Sequence, residues 1–226
     1  MSVRPTAPGT LRMRPGSAEP AVTAWEPVSA ADLLGLVAGQ GAGPQVIAVD
    51  GRSGAGKSTL ASVLAAAIPG AAVVSTDDVA WNHSMFDWAE DFRGSIIEPV
   101  RAGLAVDYRP PGWVAHQRPG SVRVEPGRSL LIVEGVGSSQ RAMRPLIDAA
   151  IWVQSDTTVA RDLGIARDTT SGVNGDQHQA IAFWDRWMAE EDPFLEREAP
   201  WSRAAAIVAG VRPSLDQPIL WRAATP

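Results

Sequence analysis

Glycine, lysine and a hydroxyl residue recur in one short stretch with a spacing that suits phosphate. Gly51-Arg52-Ser53-Gly54-Ala55-Gly56-Lys57-Ser58 has glycine first and sixth, lysine seventh and serine eighth. The apolar run Val46-Ile47-Ala48-Val49 precedes it, and Leu60, Ala61 and Leu64 follow at helical spacing. Strand before and helix after is the context such a loop needs. Glycines let the backbone wrap a phosphate, and the loop N–H groups and helix N-terminus supply partial positive charge. Lys57 is expected to reach the terminal phosphates of ATP or GTP and Ser58 to hold Mg²⁺, with Thr59 closing the phosphate contacts. Of 20 basic residues 19 are Arg, and the single lysine is Lys57. A guanidinium does not replace a compact ammonium beside phosphates.

Carboxylates stand where such a loop would use them. Leu130-Leu131-Ile132-Val133 is a buried-strand pattern that ends in Glu134, an acidic group suited to organising the metal. Asp50, directly before the loop, competes for that role. A second apolar run ends in Ser75-Thr76-Asp77-Asp78. A strand end beside the phosphate loop is where a ligand sits in an open α/β sheet. A hydroxyl acceptor there needs a carboxylate to orient it and take its proton. Asp77 is the first candidate and Asp78 the second.

The elements that must position these groups form a regular alternation. Strands are expected at 46–49, 72–75, 130–133, 151–153 and 205–208, and helices at 57–67, 96–104, near 140–147 and from a cap at Asp156 to about Arg167. Residues 105–109 and 121–124 flank Pro110-Pro111-Gly112 and are expected to form a hairpin outside the main sheet. Residues 176–192 carry Ile181, Trp184 and Met188 at helical spacing, with Pro193 expected to stop the helix. Residues 1–27, with five prolines and few large apolar residues, are expected to be a flexible tail. Ser29 and Asp32 suggest an N-cap for a helix through Leu33, Leu34 and Val37, and a linker follows at 39–44.

Composition excludes several function classes. The net charge of -5 argues against a nucleic-acid footprint, which is normally a basic stripe. With no cysteine there is neither a disulfide framework nor a thiolate zinc site. No run of 18 apolar residues and no secretory signal pattern is present, so neither membrane nor export is expected, and the cytoplasm is the expected compartment.

Taken together, these residues resemble the uridine kinase and phosphoribulokinase group of P-loop kinases, in order from about Val46 to Gly210. Val74-Ser75-Thr76-Asp77 is similar to the strand that ends in the group's catalytic aspartate. Phe86-Asp87 resembles the segment whose aspartate holds sugar hydroxyls. Trp113-Val114-Ala115-His116-Gln117-Arg118 resembles the segment after the substrate hairpin, where a histidine contacts the nucleoside. Val133-Glu134-Gly135 resembles the metal-associated position, and Arg167-Asp168 the start of a lid that brings arginines to the phosphate.

The resemblance implies an α/β, three-layer P-loop kinase fold with a mostly parallel central sheet and a protruding substrate hairpin, comprising a kinase domain over 45–226 preceded by a helix and linker over 28–44. It implies transfer of the γ-phosphate of ATP, with Mg²⁺, to a hydroxyl of a nucleoside or related sugar-bearing metabolite. Asp77, Lys57 and Arg167 are then catalytic, and Asp87, His116, and Tyr108 or Trp113 meet the acceptor. The chain departs from the group in having no arginine over 169–175, where Arg161 or Arg203 would have to substitute. Tyr108 and Trp113 stand in for the base-packing aromatic only with a shifted hairpin. Two other readings share the scaffold: a kinase for an antibiotic or nucleoside monophosphate, and a regulatory nucleotide-binding module. A small-molecule acceptor is the expected partner, and assembly into a homo-oligomer is left open.

Overall fold

The computed structural model describes residues 11–39, 43–210 and 218–224. Five parallel strands make the centre of a seven-stranded sheet: β2 (Gln45–Gly51), β3 (Ala71–Ser75), β6 (Leu130–Glu134), β7 (Ala149–Gln154) and β8 (Ala206–Ala209). The order is β1-β9-β8-β7-β2-β6-β3, with β1 (Glu26–Val28) and β9 (Ile219–Ala223) added antiparallel at one edge. From β2 the chain lays down β3 and β6 on one side, then β7 and β8 on the other. That reversal opens a crevice at the carboxyl ends of the strands.

Alternation along the strands divides the core. In β2, Ile47 and Val49 face α1 (Ala30–Val37) and α2 (Lys57–Ala67), packing with Leu33, Leu34, Leu60 and Leu64. Val46 faces the other way, toward Phe92, Ile96 and Val100. These three lie on a continuous helical stretch made of α4 (Ala89–Phe92), a π-helical turn (Arg93–Ile97) and α5 (Glu98–Arg101). The period of two in strands produces both faces from one apolar run. The same side of the sheet carries α3 (Thr76–Ala80), α6 (Pro111–Ala115) and the separate hairpin of β4 (Val106–Tyr108) with β5 (Val122–Val124). Ser29 caps α1 by accepting from the Asp32 N–H, and Asp156 caps α7 (Thr157–Ser171). An antiparallel partner, α8 (Gln177–Glu198), packs on α7 by setting Trp184 where only a glycine, Gly164, leaves room.

Several elements differ from their expected form. Pro193 lies inside α8 and does not end it. The hydrogen bond it removes would fall on the carbonyl of Ala189, which is exposed and so open to water. The helix expected near 140–147 is only a 3₁₀ turn at Arg144–Leu146, because the preceding loop is tied down by its backbone N–H groups. The sheet has a further strand, β9, beyond the one expected to be last.

Within the segment expected to be a tail, residues 11–27 run against the folded domain. Val22 is buried against Trp152 and Trp201, Glu19 accepts from the Trp152 indole at 3.1 Å, and β1 pairs with β9. A few well-placed contacts hold this proline-rich segment without a core of its own. Residues 1–10, and 40–42 of the expected linker, lie outside the described residues.

Candidate functional site

The phosphate loop leaves β2 at Gly51 and enters α2 at Lys57. Gly54 (φ 74°) and Gly56 (φ 97°) hold left-handed conformations, and a Cβ on Gly54 would stand 2.1 Å from the Ala160 carbonyl oxygen. Only glycine fits there. Gly56 caps α2 without any side-chain acceptor, so the helix dipole and first-turn N–H groups face the loop interior. The Lys57 ammonium, nearly buried, donates to the Arg52 carbonyl at 3.0 Å.

Strand register brings the second layer of groups to the same place. Glu134 at the end of β6 is level with Val49 in β2 and Ser75 in β3. The Ser58 hydroxyl donates to Glu134 Oε2 at 3.1 Å. A serine hydroxyl and a carboxylate side by side are the hard oxygen donors that Mg²⁺ takes, with its remaining positions open to water and phosphate. Asp50, the rival, is fully committed elsewhere. It accepts from the N–H groups of Gly51, Gly137 and Ser139 at 2.8, 2.9 and 2.9 Å and from the Ser139 hydroxyl at 2.6 Å. Burial pushes its carboxyl up, and the Ser139 bonds oppose that. Asp50 thus braces the loop against the segment after β6.

Beyond β3 lies a more open face. Gly135 passes so close to Thr76 that a Cβ would stand 1.8 Å from its Oγ1, which holds the exit of β6 against the start of α3. Asp77, in the first turn of α3, is exposed, and its carboxylate has no hydrogen-bond or ion-pair partner among the described residues. Asp78 is occupied: its carboxylate pairs with Arg118 at 3.0 Å and its carbonyl accepts from the Trp113 indole at 2.7 Å. Asp87 is exposed and uses only its N–H, toward the Ser84 hydroxyl. His116 is exposed and meets Trp81 edge-on at 5.6 Å. Tyr108 is half-buried on β4, and burial, with a contribution from Asp91, pushes its phenol up.

Trp113 is a packing residue and not a free platform. It is buried, and the Arg118 guanidinium covers its ring at 3.6 Å from the centroid. In this structure the ring face that an acceptor would need carries the Arg118 guanidinium.

No family model matches the chain, and no curated protein matches it by sequence. Solved structures do resemble it. A Silicibacter sp. TM1040 protein assigned as a fructose transport system kinase superposes with a TM-score of 0.54 at 18% identity, over 77% of this chain and 93% of its own. A Bacillus stearothermophilus protein assigned as a uridine kinase superposes with a TM-score of 0.50 at 20% identity, over 79% of this chain and 94% of its own. The chain has a P-loop kinase fold.

Within that fold the arginines divide by place. The carbonyl of Ala160 touches Gly54, so Arg161, half-buried in the next position, lies at the loop end of α7. Arg167 lies roughly 10 Å further along the helix axis at 1.5 Å per residue. It is exposed and forked onto buried Asp168 at 2.8 and 2.7 Å, so this conformation does not bring it to the loop. Arg203 is a tie, donating to the carbonyls of Glu198 and Ser139. Arg52 contributes its backbone to the loop, while its guanidinium turns to Glu19 (2.5 Å) and Asp192 (2.8 Å).

Sequence reasoning missed the acids that hold this part of the kinase fold. Glu19 lies in the supposed tail, and Glu191 in a helix whose tryptophan spacing drew the attention. Glu191 accepts from Ser53 and from the Trp187 indole and is completely buried. The pair Trp187 and Glu191, four apart on one helix face, was the available signal. Among the described residues, no helix is long and apolar enough to cross a membrane.

Proposed function

We propose that the chain transfers the γ-phosphate of ATP, with Mg²⁺, to a hydroxyl of a nucleoside or related sugar-bearing metabolite. The observation that carries the reading is the pairing of two features at one crest. Ser58 and Glu134 meet below the phosphate loop, and Asp77, an uncommitted carboxylate, stands two residues past the β3 position level with Glu134. The names of the two structural neighbours add support, since fructose and uridine share a sugar hydroxyl as the group a kinase would phosphorylate.

In this mechanism the loop N–H groups and Lys57 hold the β- and γ-phosphates, and Lys57 releases the Arg52 carbonyl to do so. Ser58 and Glu134 would hold Mg²⁺, which would supply positive charge beside the phosphates. Asp77 accepts a hydrogen bond from the acceptor hydroxyl and takes its proton. As that oxygen bonds to the γ-phosphorus, the bond from phosphorus to the bridging oxygen breaks and ADP carries away the charge. Asp87, His116 and Tyr108 orient the acceptor. Arg161, one residue past the Ala160 carbonyl that meets Gly54, is the arginine we assign to the transferring phosphate, and Arg167 joins it only if α7 and its neighbours close.

The test is a panel of nucleosides and sugars assayed with the wild type and Asp77→Asn. A positioned general base contributes about 10²- to 10⁴-fold, so kcat should fall by that amount while KM for ATP stays within twofold. Equal turnover removes Asp77 from the role. If ATP binds but no acceptor raises its consumption above background, the chain is a nucleotide-binding module and not a kinase. Turnover confined to monophosphates would move the acceptor class instead.

A further inference from the structure

One buried carboxylate has no part in the mechanism above. We infer that Glu191 is a positioning residue for the phosphate loop, acting through Ser53; the inference rests on the nucleotide-binding half of the proposed function.

Both oxygens of Glu191 are used. The Ser53 N–H points between them at 3.2 Å from each, and the Ser53 hydroxyl and the Trp187 indole each donate to Oε2 at 2.6 Å. Arg52 Nη1 lies 4.0 Å from Oε1. A carboxylate removed from water is costly unless every lone pair is met by a donor or a cation, and this one is met. Its placement therefore constrains its neighbours: Ser53 cannot turn away without stranding a buried charge.

Burial is shared across this contact: Ser53, Gly54 and Gly56 are half-buried, Ala55 and Lys57 are buried, and Glu191 has no exposed surface at all. Ser53 gives both its N–H and its hydroxyl to Glu191 on α8. Burial pushes the Glu191 carboxyl up, and the Lys57 ammonium, the Ser53 and Trp187 donors and the Arg52 guanidinium oppose that, so its charge is met by cations and donors around the loop. What Glu191 supplies is geometry: it fixes the first half of the loop so that the Gly54 to Ser58 half meets phosphate already shaped. The same helix packs on α7 through Trp184 against Gly164, so the loop and the arginine-bearing helix are referenced to one rigid element.

The experiment measures ATP and ADP binding by calorimetry, without an acceptor, for wild type, Glu191→Gln, Trp187→Phe, Ser53→Ala and the double variant of Glu191 and Ser53. Glutamine keeps the shape but must present an N–H₂ to a site where every neighbour donates. Glu191→Gln should weaken ATP binding by about tenfold or more, the scale of a hydrogen bond to a charged group. The double variant should lose much less than the product of the two single losses, as expected for two groups acting as one unit. Trp187→Phe removes one donor to Glu191 Oε2 and leaves the carboxylate and Ser53 in place. It should weaken ATP by about threefold in a protein that is still folded at the assay temperature, as its thermal midpoint checks, and it carries the test should Glu191→Gln fail to fold.

Unchanged ATP affinity in Trp187→Phe and in a folded Glu191→Gln overturns the inference and leaves the kinase reading intact. Tighter ATP binding also overturns it, since the carboxylate would then act by its charge alone. Multiplicative losses in the double variant would make Glu191 an ordinary packing residue. A wild type that binds no nucleotide removes both readings together.

Discussion

The two halves of the candidate site are built in opposite ways. On the nucleotide side, Lys57, Ser58 and Glu134 sit at the ends of parallel strands, with the loop packed tightly against Ala160 and Gly210 and braced by Asp50, Glu19 and Glu191. The buried acids Asp50 and Glu191 cannot turn away there without stranding a charge. On the acceptor side, α3, α4 and α6 are four- or five-residue helices joined by exposed turns, and the groups that would meet the acceptor, Asp77, Asp87 and His116, are exposed. Under the proposed function the contrast has a reason: phosphate is the same in every nucleotide, so its cradle can be rigid, whereas an acceptor must enter and leave, which suits short elements hung on a few anchors such as Trp113.

That contrast predicts where substitutions act. Lys57→Met should produce the largest effect, a fall in kcat/KM of about 10³-fold or more from losing the charge on the transferring phosphate, with stability nearly unchanged. Steady-state kinetics and urea unfolding measure the two, and retention of activity would make the rigid half dispensable. Trp113→Ala should instead cost about 3–5 kcal/mol of stability, as for other buried aromatic truncations, seen as a lower urea midpoint. Trp113→Phe, which keeps most of the packing, should leave KM for the acceptor within twofold; a selective rise there would return Trp113 to the acceptor. The smallest effect is expected from Asp87→Ala. KM for the acceptor should rise about tenfold, the scale of one lost charge-assisted hydrogen bond, with KM for ATP and the unfolding midpoint unchanged. A parallel rise in both KM values would erase the division between the halves.

Legibility in the sequence followed the same boundary. The phosphate loop, the runs that became β2, β3, β6 and β7, and the acids at two strand ends were all readable, because each depends on residues close together in the chain. Glu134 ranked above Asp50 for the metal on its place at a strand end, but what occupies Asp50 was not legible, since its partners Gly137 and Ser139 lie nearly ninety residues away. Trp113 looked like a binding aromatic because its cover, Arg118, is set by the turn of the hairpin. The N-terminal segment read as a tail because its composition is poor in apolar residues, yet Val22 and Glu19 suffice when a sheet edge and Arg52 are there to receive them.

By itself, then, the sequence determined the sheet that carries the site, the loop that binds phosphate and the acids able to serve it. These follow from local spacing, strand alternation and the unique demands of glycine at Gly54 and Gly56. The tertiary structure alone decided which of those acids are free and which are consumed, and that Glu19 and Glu191 converge on Arg52 and Ser53 of the loop. Partnership between residues 138 apart, as for Ser53 and Glu191, is a property of how helices and strands pack, and no pattern along the chain encodes it.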